Sequence, residues 1–298
     1  MTAPRSIVPG HTYLLTRRCS ERRFFLRPDD KTSRIFLYCL AEAAKRFGIR
    51  VLAWVAMSNH YHAVVEDPEG SLPRFLGHFH KLSARSLNAR WGRWENLWAS
   101  EQAGAVRLVE RGDVLDKVVY TLANPVASHL VERGLDWPGA SSLAALDGRQ
   151  LELRRPMSFF REDGVMPDEV TLEAGVPQGW PGGREAWVEA VREGVRKVEA
   201  AARDERAASG GRVVGARAIR HALPNHRPTT HAPRRELRPQ LACRNGARRV
   251  EELRALKWFR QAYAAARARF IGGLDALFPW GTYKLVHELG ARCHPAPA

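Results

Sequence analysis

Between residues 11 and 123 the apolar residues change period in a fixed order, and that order restricts the fold more than any other feature of the chain. Residues 11–17 read as a strand. Residues 32–47 carry Ile35, Leu37, Leu40, Ala43 and Ala44 at helical spacing and stop at Gly48. Residues 51–57 and 60–66 read as two strands joined tightly through Ser58 and Asn59. Residues 72–91 form a second amphipathic helix, ended by Gly92, and 105–110 form a short strand. Residues 114–123 open a third helix, with a kink or restart expected at Asn124 because Pro125 disfavours a helical residue before it. The order strand-helix-strand-strand-helix-strand predicts an α+β fold of the split, ferredoxin-like kind: an antiparallel sheet with both helices on one face.

Chemistry concentrates in the second half of that frame. In a strand, side chains two apart share a face, so His60 and His62 converge while Tyr61 turns away. Two imidazoles held this way can ligate one divalent ion, although the pair alone also fits two half-buried strand histidines. His78 and His80 have the same spacing but fall in a helix, where residues two apart do not face each other. They are expected to be one surface and one inner histidine. Tyr120 and Asn124 are four apart on the third helix and share its face. A tyrosine beside an amide ligand suggests a phenolate nucleophile near a metal, and the alternative is a packing tyrosine. A phenol, with its pKa of about 10, needs help to attack, and a divalent ion polarising the target would supply it.

His60-Tyr61-His62, followed by Tyr120-Thr121-Leu122-Ala123-Asn124-Pro125-Val126, resembles the HUH single-tyrosine transposases, and among them the REP-associated tyrosine transposases. The resemblance takes in residues 41–48, Leu97-Trp98, Trp137 and Ser141-Ser142, and spans about residues 10 to 145. Ser58 stands where the family usually has proline, and the stretch after Trp98 lacks the family's usual basic residue. The resemblance implies that His60, His62 and Asn124 bind Mg²⁺ or Mn²⁺. It implies that Tyr120 attacks single-stranded or hairpin DNA, forming a 5′-phosphotyrosine and releasing a 3′-hydroxyl. A monomer or homodimer in the cytoplasm, associated with the nucleoid, is what such an endonuclease and strand-transferase would be.

The remaining composition agrees with a polyanionic partner. The 298 residues carry a formal charge of +15, mostly from arginine, the side chain best shaped to grip phosphate. No apolar stretch approaches the ~18–20 residues of a membrane span, so no membrane partner is expected. Residues 1–10 show no secretory pattern, and the four scattered cysteines suit a reducing compartment. Lys81, Arg85 and Arg90 could follow a DNA backbone. Trp94 and Trp98, with Trp91, could stack on unpaired bases or pack in a core. Glu66 could orient a metal-bound histidine from behind.

Beyond residue 145 the texture changes, and a helical, basic C-terminal extension is expected from 146 to 298. Residues 157–183 are rich in Pro and Gly, while 184–208 and 250–270 read as helices. Residues 212–249 hold ten arginines against one acid, Glu236, and read as a flexible arm spanning about 209–249. Two readings from different classes stand at this point. One is a metal-dependent DNA nickase of the transposase type; the other is a catalytically weak, sequence-specific DNA-binding protein with the same fold. RNA as the ligand is a third.

Overall fold

In the computed structural model, which describes residues 4–161, 163–229 and 239–296, β1 (His11–Arg18) pairs antiparallel with a strand on each side. The elements that follow are α1 (Asp30–Arg46), β2 (Arg50–Ala56), β3 (His60–Asp67), α2 (Leu72–Trp91), β4 (Gly104–Leu108) and α3 (Arg111–Ala127). The sheet order is β2-β3-β1-β4, all antiparallel, which is the split arrangement expected from the periodicity. α1 starts at an Asp29 cap whose carboxylate accepts the Thr32 N–H at 2.9 Å. α2 ends at Gly92, which takes a left-handed φ of 61°.

Each strand divides its side chains between two layers. Tyr61 packs on Phe36 of α1 and Phe79 of α2, at ring separations of 5.6 and 5.4 Å. His62 instead faces Tyr120 of α3. The expected pair of helices therefore shares one face, and α3 covers the other.

α3 runs unbroken through Pro125, and the kink expected at Asn124 does not form. Leu122, Ala123 and Val126 are all buried there, and this packing outweighs the local preference of the residue before proline.

The chain beyond residue 145 does not stand apart. It supplies β5 (Leu151–Arg154) and β6 (Glu169–Leu172), an antiparallel hairpin over α1. Tyr38 donates to the Pro167 carbonyl and meets the Phe160 ring at 5.3 Å. α4 (Gly183–Ser209) lays Trp187, Val188, Val191 and Val195 into the same core that holds Phe36, Trp54 and Val118. No break in packing falls at 145/146, because the hairpin and α4 bury the outer faces of α1 and α3.

α5 (Ala216–His221) lies within the stretch expected to be a flexible arm. It buries Ile219 against Val55, Met57, Val126 and Trp137. Its approach is fixed by hydrogen bonds from Val214 and Gly215 to the His129 and Leu130 carbonyls, and its exit by one from Phe24 to His226. β7 (Leu241–Ala242) then joins β4 in parallel as a fifth strand. Residues 230–238 of the expected arm lie outside the described residues. α6 (Gly246–Ile271), β8 (Leu277–Phe278), α7 (Lys284–Leu289) and β9 (Arg292–Cys293) complete the chain around a small cluster of Ala266, Ala276, Phe278 and Ala291.

The other sheet edge is covered from within the chain. Ser142 donates its N–H to the Trp54 carbonyl and accepts the Trp54 N–H on its hydroxyl, while the Trp137 indole donates to the Ala56 carbonyl at 3.1 Å. Among the described residues no helix is long and apolar enough to cross a membrane.

Candidate metal and nucleophile site

The pairing register decides what surrounds the two histidines. On β1, Thr16 lies opposite His62 and Arg18 opposite His60, so all four side chains project from the same face. The two imidazoles meet edge to face with ring centroids 4.9 Å apart. Thr16 Oγ1 lies 2.9 Å from His62 Nδ1, and Asn59 Oδ1 lies 2.7 Å from His60 Nδ1. Asn59 is itself anchored by its amide donating to the Arg22 carbonyl. Both rings thus have Nδ1 engaged, and each keeps Nε2 as its remaining ligand atom.

Burial sets the charge of the pair. His62 is 5% exposed. Desolvation, reinforced by the neighbouring His60 and Arg18, pushes its pKa down to about 3. His60 is pushed down to about 4, again mainly by burial and then by Arg18 and Arg22. Both are neutral at pH 7, the form in which an imidazole ligates a cation.

α3 brings the third group. Tyr120 meets His62 edge to face at 5.2 Å and is 45% exposed. The Lys117 ammonium sits 5.6 Å from the Tyr120 ring centroid, one turn earlier. Asn124 follows one turn later and is buried, 8% exposed. The helix carrying both is held close by α4, where a Cβ on Gly194 would come within 2.4 Å of Val119.

The structure separates the other expected site residues from this group. Trp98, 5% exposed, packs behind the sheet against Tyr61 and His80, and its indole donates to the His80 carbonyl. Arg90 is paired with Asp29 at 2.7 Å and stacked on Trp91. Both are packing residues here, a correction to their expected contact with nucleic acid. Lys81 and Arg85 are exposed on α2, in the layer opposite Tyr120. Trp94 is 94% exposed in the loop after α2. Glu66 accepts from Arg50 at 2.5 Å and from the Gln178 N–H at the far end of β3, so it does not support either histidine. Thr16 fills that position, and only the register reveals it.

The control pair behaves as its helical setting requires. His78 is half-buried and reaches the buried Glu42 of α1, at 2.6 Å, while His80 turns in to the Tyr61 hydroxyl, at 2.7 Å. Among the described residues, Glu110, Asp113 and Cys243 also place three potential ligand atoms within 4.8 Å of one another. Their carboxylates are engaged in closing the start of α3: Asp113 accepts the Glu110 and Arg244 N–H groups, each at 2.9 Å.

Comparison with known proteins gives a family match over part of the chain. Residues 8–102 match the family described as IS200-like transposases, a span that includes both histidines and ends before Tyr120. No curated protein matches the chain. One similar solved structure is a REP-associated tyrosine transposase bound to a REP hairpin, at 18% identity and a TM-score of 0.41. That match covers 48% of this chain and 82% of the other. Another is a protein of Deinococcus radiodurans R1 assigned as a transposase, at 20% identity and a TM-score of 0.30, covering 38% and 89%.

Proposed function

We propose, from the match of residues 8–102 to the IS200-like transposases, that this chain cleaves and rejoins single-stranded DNA through Tyr120. The observation that carries the reading is the half-exposed Tyr120 ring set against a buried, neutral His62 that shares its strand face with His60. A packing tyrosine would be covered.

The donor set fits a divalent ion. Two neutral imidazoles with Nδ1 already engaged present Nε2 as ligand atoms, and Asn124 offers an amide oxygen on the α3 face that carries Tyr120. Mg²⁺ or Mn²⁺ would be held by His60, His62 and Asn124, and when bound it supplies a Lewis acid that polarises the phosphate and stabilises charge building on it. Thr16 and Asn59 hold the two imidazoles in their ligating orientation. Tyr120 Oη forms the new bond to phosphorus, and the bond from phosphorus to the 3′ oxygen breaks. The phenolic proton passes to solvent, and the departing oxygen takes up a proton to become the 3′-hydroxyl. The phosphotyrosine conserves the bond energy, so rejoining needs no further energy source.

Trp94 is offered as a stacking platform for an unpaired base, with Lys81 and Arg85 as contacts to a more distant part of the strand. The catalytic unit extends past residue 145 to include α4, since α4 braces the helix that carries the nucleophile.

The test is incubation of labelled single-stranded hairpin DNA from the gene's own flanks with wild type and Tyr120→Phe, in Mg²⁺ or EDTA. A protein-linked DNA band that requires both Tyr120 and the metal is the expected result. Retarded DNA without covalent capture would leave a DNA-binding protein and remove the nuclease.

A further inference from the structure

Arg18 ends β1 directly opposite His60, one pleat beyond the Thr16–His62 pair. It therefore projects from the face that carries the histidines and Tyr120, while Arg17 between them turns to the other layer and lies over Trp98. Strand pairing fixes its backbone, since its carbonyl accepts the Ala99 N–H at 2.9 Å and the next N–H donates to Asn59. The guanidinium is exposed and has no ion pair or side-chain hydrogen bond among the described residues. Neighbouring arginines are committed: Arg23 to Glu21, Arg27 and Arg90 to Asp29, and Arg93 to Glu95. An uncompensated cation held beside a candidate metal pair has no structural duty within the chain.

We propose that Arg18 contacts the substrate, binding a non-bridging oxygen of the DNA phosphate that Tyr120 attacks. The inference rests on the cleavage reading above for the identity of that phosphate. A planar guanidinium can reach one or two phosphate oxygens with charge-assisted hydrogen bonds. Its placement next to His60 puts it beside the ion site, so it adds a second positive group where negative charge grows in the transition state. Lys117 is no substitute, because its ammonium is aimed at the Tyr120 ring.

The test compares the full chain with Arg18→Gln and Arg18→Lys in three measurements. Mn²⁺ binding without DNA, followed by electron paramagnetic resonance, is expected to stay within about threefold of wild type, since Arg18 is not a ligand. Binding of a fluorescein-labelled single-stranded hairpin, measured in a Tyr120→Phe background across a salt series, is expected to lose about 0.7 from the slope of log K against log salt, the mark of one lost single-strand phosphate contact. The rate of covalent capture is expected to fall about 10²- to 10³-fold in Arg18→Gln, with part of it returning in Arg18→Lys. A tenfold loss of Mn²⁺ affinity would make Arg18 a support for the histidines and overturn the proposal. So would an unchanged slope together with an unchanged rate. If wild type itself captures no DNA, the cleavage reading fails while the salt slope alone still decides whether Arg18 holds a phosphate. A wild type that neither binds nor captures DNA overturns both.

Discussion

Thr16 Oγ1 lies 2.9 Å from Nδ1 of His62, across the central strand pair of the sheet. The contact fixes which nitrogen of a buried ring is left to face the site. Partners of this kind, behind a metal-bound histidine, typically account for about 10- to 100-fold in metal affinity. Thr16→Val keeps the shape and removes the hydroxyl, and is expected to weaken Mn²⁺ binding by that factor, measured by calorimetry without DNA. Thr16→Ser should restore most of it. Wild-type affinity in Thr16→Val would show that the hydroxyl does not orient the ring.

Gly194 presents a different constraint on the same site. A methyl group there would overlap Val119, the residue before Tyr120. Gly194→Ala is expected to lower stability by about 1–3 kcal/mol, the usual range for overpacking a core contact. It should also slow covalent capture more than it weakens DNA binding, because α3 must move. Val119→Ala in the same chain opens the space and should recover part of both losses. Thermal melting and capture rates of the four proteins check this, and equal melting temperatures would remove the constraint.

Much of the sheet was legible because period-two and helical patterns are local. The limits read for α2, residues 72 to 91, coincide with its ends in the structure, where a glycine stop follows an apolar stripe. The convergence of His60 and His62 followed from alternation alone. Thr16 and Arg18 were not legible, because their place depends on pairing with His62 and His60, far along the chain, and register is a tertiary property. The choice between base stacking and core packing for Trp98, and the side to which Arg90 turns, stay open in the sequence for a related reason. An aromatic near a loop and a helical arginine carry no mark that says which layer they face. The β5–β6 hairpin has four residues per strand, too few alternations to stand out from a Pro- and Gly-rich stretch.

The shared core makes truncation informative. A chain ended after Leu146 removes Trp187, Val191 and Val195 from α3 and takes the hairpin off Tyr38. It is expected to lose cooperative melting or aggregate, since several large apolar side chains would become exposed. A chain ended after Gly211 keeps α4 and should still melt cooperatively. The same melting temperature for the shorter chain and the full one would show that residues 1–146 are self-sufficient.

Acid should unfold the metal-free protein through the site histidines. An unfolded histidine takes up a proton below about 6.5, but His60 and His62 hold off protonation until about 4 and 3 in the folded chain. Between those values the unfolded state binds more protons, so stability rises with pH and is lost as pH falls from about 6.5 towards 4. Each buried histidine then costs about 1.4 kcal/mol per pH unit in that window. Urea unfolding in EDTA at pH 7.5 and pH 5.0 should show the effect. Wild type is expected to lose about 2 kcal/mol more than His62→Asn over that interval, the linkage equivalent of 1.5 pH units for one histidine. His80, pushed down by burial behind the sheet, contributes in the same direction to both proteins and cancels in the comparison. An equal loss in the two would mean that His62 is already accessible to protons in the folded chain. A ring that water reaches so readily would also be a poorly fixed ligand.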